Sequence, residues 1–214
     1  MFVYEKELQY PVRIRKPDQR MASVIISQYG GPDGELGASL RYLSQRYSMP
    51  CNELKGLLTD IGTEELGHLE MVGSMIHQLT RDLTDCQIQD SAFAPYFTDH
   101  ALGVYPQFAS GQPYHAAAMA VKGDPITDLH EDLAAEQKAR TTYENLLHQC
   151  DDPDVIDVLR YLRQREIVHY QRFAEALEMV KDKMDERNFY AFNPSLPLKE
   201  CCAVNCNGQK YRCE

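Results

Sequence analysis

Two short stretches of this sequence pair a glutamate with a histidine three positions later. They are Glu65 with His68, and Glu166 with His169. On an α-helix, residues at this spacing lie on one face, with Cβ atoms about 5–6 Å apart. A carboxylate oxygen and an imidazole nitrogen so placed can bind one metal ion from a single rigid element. One such pair is a weak signal, because the same residues also pair in helices that bind no metal.

The signal becomes strong because both pairs belong to a longer repeat. A further glutamate precedes each pair by 30 residues, Glu35 in the first half and Glu136 in the second. Equivalent positions of the two halves are 101 residues apart. Two helical hairpins with this spacing would carry the ligand set of ferritin-like dinuclear metal proteins, in which two helices give one Glu each and two give Glu-x-x-His. The six positions therefore predict a dinuclear metal centre inside a four-helix bundle.

Composition limits the classes of protein and partner. The chain has 214 residues, of which 43% are hydrophobic and 25% charged, as expected for one soluble globular domain. Its net charge of −10 argues against binding to nucleic acid or anionic lipid. The sequence shows neither a basic start followed by an apolar core nor an apolar run of about 20 residues. We therefore expect a cytoplasmic protein with no nucleic-acid or membrane partner.

The first two helices are predicted from apolar periodicity and helix-start residues. One helix should begin near Pro17, pass the stretch from Gly30 to Glu35 as a kink, and end near Ser48. The alternative is a break into two helices, because glycine and proline inside a helix cost about 1 and 3 kcal/mol. A second helix, opening at Pro50, carries the first Glu-x-x-His pair on a wide apolar stripe.

The second pair of helices has clearer start signals. Asp124-Pro125 and Asp152-Pro153 each place an N-cap residue before a helix-initiating proline. These helices should reach about Cys150 and Arg187, and the short link between them implies antiparallel neighbours. Residues 82–123 contain no helix of normal length and fit a crossover. The prediction is an all-α, ferritin-like four-helix bundle with a long crossover between helices 2 and 3.

The two ends of the chain are predicted to lie outside the bundle. Residues 1–16 alternate apolar and polar side chains, which indicates an edge strand or a strap over the bundle. We assign residues 1–190, including this arm, to a dinuclear metal-binding domain, and residues 191–214 to a Cys-rich tail. The tail could bind zinc, form disulfides, cross-link to other chains or carry reduced thiols. Its four cysteines are Cys201, Cys202, Cys206 and Cys213.

The motifs resemble a known family. The stretch from Tyr29 to Glu35, the stretch from Thr63 to Met71, and the spacing of Glu136 and His169 are similar to those of the manganese catalases. Chain length and crossover resemble most closely the CotJC-type spore-coat branch found in endospore-forming bacteria. The resemblance covers about residues 1–190. It implies two manganese ions per subunit, hydrogen peroxide as substrate, a homohexamer wrapped by arms and tails, and deposition in the spore coat with other coat proteins.

The resemblance also implies roles for individual residues. Glu65 matches the carboxylate that bridges the two ions, Glu166 matches a group that moves protons, and Tyr42 matches an outer-sphere tyrosine. The metal ligands matched are Glu35, Glu65, His68, Glu136 and His169. Part of the family has an arginine where this chain has Ala135, and others a lysine where it has Tyr143. Loss of that cation should change access to the site and the proton affinity of Glu166, so the turnover rate stays open.

Three functions follow from these patterns. Carboxylates and imidazoles suit manganese or iron, so we expect a dimanganese catalase that converts hydrogen peroxide to water and dioxygen. One alternative is a di-iron oxidase or ferroxidase, in which Glu166 would be a sixth ligand. The other is a structural spore-coat protein whose metal site is vestigial and whose cysteines form cross-links.

Overall fold

A computed structural model describes residues 7–187 and two short strands near the C-terminus. The strands, β1 (Cys202–Val204) and β2 (Lys210–Arg212), pair antiparallel with Ala203 opposite Tyr211, which the sequence analysis did not predict. Cys201, Cys206 and Cys213 lie outside the described residues, so the alternatives for the tail stay predictions. The helices are α1 (Gln19–Gly30), α2 (Glu35–Gln45), α3 (Asn52–Thr80), α4 (Asp85–Gln89), α5 (Ala94–His100), α6 (Pro125–Gln149) and α7 (Pro153–Arg187).

Four helical rods form the bundle. The first rod consists of α1 and α2, and the others are α3, α6 and α7, with α2 packed on α3 and α6 packed on α7. Asp124 caps α6 through a hydrogen bond from Thr127 N, and Pro125 is its first residue, as predicted. The crossover between α3 and α6 contains only α4, α5 and a 3₁₀ turn at Ala116–Met119 within residues 81–124.

The first rod is broken, so the prediction of one kinked helix to Ser48 was wrong. α1 ends at Gly30, where the Gly31 N–H caps the Ser27 carbonyl, and α2 begins at Glu35. The crossover passes directly against the end of α1 at Gly30. A Cβ on Gly30 would lie 2.4 Å from Gln107 N, so only glycine fits there. The break places the Glu35 carboxylate in the first turn of α2, where the helix dipole favours negative charge.

The core consists of two apolar clusters with the predicted metal positions between them. Along α3, residues 54–61 belong to one cluster and residues 71–79 to the other. Along α7 the order is reversed, with residues 155–162 in the second cluster and 173–180 in the first. Each Glu-x-x-His pair falls between two apolar segments of its own helix. The polar site is therefore shielded from water at both ends of the bundle.

The N-terminal arm is a strap rather than an edge strand. Val12 and Ile14 are buried while the residues between and beside them are exposed, so the predicted alternation is present in residues 11–15. Hydrogen bonds from a helix side chain replace strand pairing: Ile14 N donates to Gln78 Oε1 (2.8 Å), and Gln78 Nε2 donates to the Val12 carbonyl (2.9 Å). In the part of the chain that the structure describes, no helix has the length and apolarity needed to cross a membrane.

Candidate metal centre

The six positions of the repeat meet inside the bundle. Glu35 comes from α2, Glu136 from α6, and the two Glu-x-x-His pairs from α3 and α7. All six side chains are buried, with exposures of 0–2%. The rings of His68 and His169 stack with their centroids 5.5 Å apart. Residues far apart in sequence therefore form one compact cluster, as the spacing predicted.

Glu65 lies between the two histidines. Its Oε2 is 2.7 Å from His68 Nδ1, and its Oε1 is 2.9 Å from His169 Nδ1. One ligand atom from each member of both Glu-x-x-His pairs fits within 4.8 Å. A carboxylate that directs each oxygen to a different imidazole has the geometry needed to bridge two cations.

The other two carboxylates lie at the two ends of this arrangement. Glu35 Oε2 is 3.6 Å from His68 Nδ1, and Glu136 Oε2 is 3.6 Å from His169 Nδ1. Each hairpin thus sets one glutamate beside its own histidine, at the same distance in both hairpins. The structure brings together all five residues that the resemblance matched to metal ligands.

Two buried tyrosines contact these end carboxylates. The Tyr42 hydroxyl donates to Glu136 Oε1, and the Tyr143 hydroxyl donates to Glu35 Oε1. Both tyrosines have 0% exposure. Tyr42 was among the predicted site residues, whereas position 143 was noted only for the cation that it lacks. Tyr143 follows Tyr42 by the same 101 residues that separate the two halves of the repeat, so this spacing could have predicted Tyr143 as a site residue.

Glu64 is a site residue that the sequence analysis missed. Its Oε2 lies 3.1 Å from His169 Nε2 and its Oε1 lies 3.5 Å from His68 Nε2, on the outer side of both rings. Arg165 holds this carboxylate through Nε (2.7 Å) and Nη2 (3.2 Å), and Gln9 of the arm donates to Oε1 (2.6 Å). An acceptor beside Nε2 favours a proton there and leaves Nδ1 free to face inward as a ligand.

The comparisons with known proteins agree with this geometry. The family model described as manganese containing catalase matches residues 1–191. The chain is 49% identical to Protein CotJC of Bacillus subtilis (strain 168), over 89% of this chain and 100% of that protein. It is 34% identical to a probable manganese catalase of Clostridium acetobutylicum, over 88% of this chain and 85% of that protein.

The chain belongs to the manganese-containing catalase family. A solved structure supports the same assignment: KatB, a manganese catalase from Anabaena, superposes with a TM-score of 0.77 at 32% identity. The match covers 94% of this chain and 89% of KatB. The predicted family and the ferritin-like bundle fold are thereby confirmed.

Manganese is the metal that this family implies, and the residues of this chain fit it. Among the buried atoms of the cluster without a hydrogen-bond partner in the described residues are three carboxylate oxygens and the inner ring nitrogen of one histidine. Glu65 Oε1 and His169 Nδ1, for example, lie 2.9 Å apart without hydrogen-bond alignment. Buried polar atoms without partners are costly unless a cation completes their surroundings. These four atoms are Glu65 Oε1, Glu136 Oε2, Glu166 Oε1 and His169 Nδ1.

The carboxylates of the cluster differ in proton affinity. Burial raises the pKa of Glu166 well above its usual range, and the charges of Glu65 and Glu35 add to this effect. Burial and the Glu65 charge also raise the pKa of Glu35 to about 7. Glu65 is buried too, but the charges of His169 and His68 outweigh this effect and hold its pKa below the usual range. Glu166 is thus the carboxylate most disposed to hold a proton.

The imidazoles carry protons when no metal is bound. Burial opposes their ionisation, but the Glu65 charge and the surrounding carboxylates raise the pKa of His68 and His169 well above the usual range. The same contacts, together with Arg165, hold the pKa of Glu64 well below its usual range despite its partial burial. A metal ion that binds Nδ1 must therefore displace a proton, so binding should release protons to solvent.

A second buried polar cluster lies beside the candidate metal centre, and the sequence analysis missed it as well. Asp132 and Glu136 are one turn apart on α6, and both carboxylate oxygens of Asp132 lack a hydrogen-bond partner within the described residues. Burial raises the pKa of Asp132 well above its usual range, although the positive charge of Arg41 opposes this. Arg41 is 1% exposed and donates to the Met119 carbonyl of the crossover (3.0 Å). The chain has Ala135 where part of the family has an arginine. It nevertheless has one buried cation near Tyr42, because Arg41 of α2 lies there.

Proposed function

We propose that the protein is a dimanganese catalase that converts two molecules of hydrogen peroxide to two of water and one of dioxygen. One observation carries this proposal: the two oxygens of a fully buried glutamate, Glu65, lie within 3 Å of Nδ1 of two different histidines. That arrangement supports a pair of cations, one beside each histidine, that share this carboxylate. Family membership supports manganese as the metal.

The proposed ligands are the five residues that converge from four helices. Glu65 would contact both ions, while each hairpin would supply one further glutamate and one histidine to its own ion. Two bound manganese ions supply a redox pair that accepts and returns two electrons together, which avoids one-electron products of peroxide. The ligands are Glu35, Glu65, His68, Glu136 and His169.

Glu166 is proposed to move the proton. Its Oε1 atom is buried and has no hydrogen-bond partner within the described residues, so it is available to a substrate oxygen. It would accept the proton of an incoming peroxide and return it to the oxygen that leaves as water, as a general base and then acid. The cations would lower its raised pKa towards neutrality, where both steps are feasible. The apolar clusters at both ends of the site exclude bulk water from this transfer.

Assembly and location follow from the relatives. We propose a homohexamer in which the N-terminal arm and the C-terminal tail contact neighbouring subunits. We also propose deposition in the spore coat with other coat proteins, supported by the 49% identity to Protein CotJC. The division into a metal-binding domain of residues 1–190 and a tail of residues 191–214 is part of this proposal.

One observation favours the di-iron alternative. Glu166 belongs to the group whose ligand atoms lie within 4.8 Å, so it is placed to bind a cation directly. In a di-iron oxidase or ferroxidase it would be a sixth ligand. The two functions therefore differ in whether Glu166 holds the metal or only a proton.

Metal analysis together with an oxygen-electrode assay separates these functions. We expect purified protein supplied with manganese to hold two ions per subunit and to release dioxygen from peroxide. Glu166→Gln should keep both ions and lose at least about 100-fold in activity, as expected for loss of a general acid–base group. Glu178→Gln, an exposed glutamate on the same helix, is the matched control and should retain activity.

Other results would contradict the proposal in distinct ways. Loss of metal from Glu166→Gln, with iron preferred by the wild-type protein, would assign a di-iron function. Wild-type protein that holds two manganese ions but releases no dioxygen would leave only a structural role in the coat.

A further inference from the structure

Tyr143 makes the same contact on one side of the site that Tyr42 makes on the other. Tyr42 of α2 donates to Glu136 of α6, and Tyr143 of α6 donates to Glu35 of α2. Each tyrosine follows a glutamate of its own helix by seven residues, which is about two turns, so both project from the same face. The two contacts therefore form a reciprocal pair between the hairpins.

Each contact leaves the second carboxylate oxygen directed to a histidine. Glu35 Oε1 accepts from the Tyr143 hydroxyl, while Oε2 lies 3.6 Å from His68 Nδ1. Glu136 is placed in the same way, with Oε1 on Tyr42 and Oε2 3.6 Å from His169 Nδ1. A hydroxyl that holds one oxygen restricts the side-chain torsions and fixes where the other oxygen points. A phenol is suited to this task because its own ring is locked by complete burial.

We propose that Tyr143 is a positioning residue for Glu35, and that it gives one manganese position the same supported carboxylate that Tyr42 gives the other. Tyr143 acts only through Glu35 and does not touch the reacting oxygens. This inference rests on the proposed function, because it takes Glu35 and Glu136 to be manganese ligands. Its consequence is that each tyrosine controls the affinity of one ion of the two.

Stepwise titration of metal-free protein with Mn²⁺, in competition with a fluorescent chelator, measures the two affinities. Tyr143→Phe should lower the affinity for one Mn²⁺ ion about tenfold, as expected for loss of a hydrogen bond to a ligand. Tyr42→Phe should lower the affinity for the other ion to a similar extent, and the double variant should lower both affinities. Tyr47→Phe removes a hydroxyl from a side chain that is 75% exposed, and it should leave both affinities unchanged.

A double-mutant cycle separates positioning from a general role in folding. In a Glu35→Gln background, Tyr143→Phe should change the affinities by less than about twofold, while Tyr42→Phe should still weaken one ion about tenfold. Circular dichroism of each metal-free variant checks the fold. If Tyr143→Phe is not recovered folded, Tyr42→Phe with Glu136→Gln provides the same test, since the proposal makes the two positions equivalent.

The outcomes against this inference differ from those against the function. Wild-type protein that binds two Mn²⁺ ions, with Tyr143→Phe retaining both affinities, would overturn the role of Tyr143 alone. An equal loss in the Glu35→Gln background, or failure of both single variants to fold without metal, would show that the hydroxyls serve folding instead. Wild-type protein that binds no Mn²⁺ would overturn the proposed function itself.

Discussion

The two hairpins of the bundle supply the same residues to the metal centre but use one of them differently. The α2–α3 hairpin and the α6–α7 hairpin each provide a glutamate, a tyrosine and a Glu-x-x-His pair at a constant offset of 101 residues. The distance from the end carboxylate to its histidine is 3.6 Å in both. The second glutamate of each hairpin breaks this symmetry. Glu65 lies 2.9 Å from Nδ1 of the other hairpin's His169, whereas Glu166 lies 3.9 Å from Nδ1 of the other hairpin's His68.

This difference separates the two roles that a carboxylate can take. Contact with both histidines holds the pKa of Glu65 below its usual range, so it remains an anion that can bind cations. Burial without such contact raises the pKa of Glu166, so it can carry a proton. Environments that move two like groups apart in pKa mark a structural carboxylate and an acid–base carboxylate.

The neighbouring position shows a second departure from symmetry. Glu64 and Arg165 occupy equivalent positions of the two hairpins, yet they carry opposite charges and pair with each other across the bundle. Glu64 can therefore lie beside both imidazoles, because the other hairpin provides the cation that holds it. One ion pair on the outer side of the rings thus supports both histidines.

The largest expected effect comes from removing the negative charge of Glu65, compared with removing that of Glu166. Glu65→Gln keeps the shape but directs an amide N–H at one histidine or its ion, so manganese affinity should fall by at least about 100-fold. Glu166→Gln should change that affinity by less than about threefold. Equilibrium competition with a chelator measures both values. An equal loss of manganese affinity in the two variants would show that both glutamates bind metal. It would then contradict the different roles that we assign to Glu65 and Glu166.

A smaller effect is expected from the ion pair that the hairpins share. Arg165→Met removes the cation that orients Glu64, and manganese affinity should fall about tenfold. The matched control is Arg163→Met, two residues earlier on α7, whose partner Glu144 lies away from the metal centre. If both variants bind manganese alike, the Glu64–Arg165 pair has no part in placing the histidines.

The last expected effect concerns folding stability rather than metal affinity, and it comes from a buried acid that the first hairpin does not have at the equivalent position, Gly31. Asp132 has a raised pKa in the folded protein, whereas the ordinary value is 3.8. Above pH 3.8 the unfolded chain therefore releases a proton that the folded protein keeps, and stability falls by about 1.4 kcal/mol per pH unit until the folded group ionises as well. Asp132→Asn cannot titrate, so its free energy of unfolding should fall less between pH 5 and pH 7.

Urea unfolding of metal-free protein at several pH values measures this difference. Asp60→Asn, an exposed position on α3, serves as the control and should follow the wild-type pH dependence. A wild-type pH dependence in Asp132→Asn would show that burial of this acid does not set the pH response of the second hairpin.

The sequence predicted the parts of the molecule that depend on local spacing. The helix starts at Pro125 and Pro153, the bundle and the meeting of the six repeat positions all follow from periodicities within single helices. The break between α1 and α2 has a local signal in Gly30, Gly31 and Pro32, but that signal fits a kink as well as a break. The close approach of the crossover to Gly30 joins segments more than 70 residues apart and leaves no local pattern.

The supporting residues of the site show the same limit. Glu64 lies in the motif itself, but its role depends on Arg165 and Gln9, which reach it from α7 and from the arm. The prediction for position 143 used only the lysine that some relatives have there. It did not use the spacing of 101 residues between Tyr42 and Tyr143. Buried Asp132 has no sequence signal beyond its one-turn spacing from Glu136, since its burial depends on how α6 packs.

The hydrogen bond from Gln9 connects the N-terminal strap to Glu64, which lies beside the two buried histidines. A single amide group links the strap to the carboxylate that lies behind both imidazoles. Displacement of the strap would remove this hydrogen bond and leave Arg165 to hold the Glu64 carboxylate beside the histidines. A contact at the protein surface thus bears directly on the groups that set the position of both imidazoles.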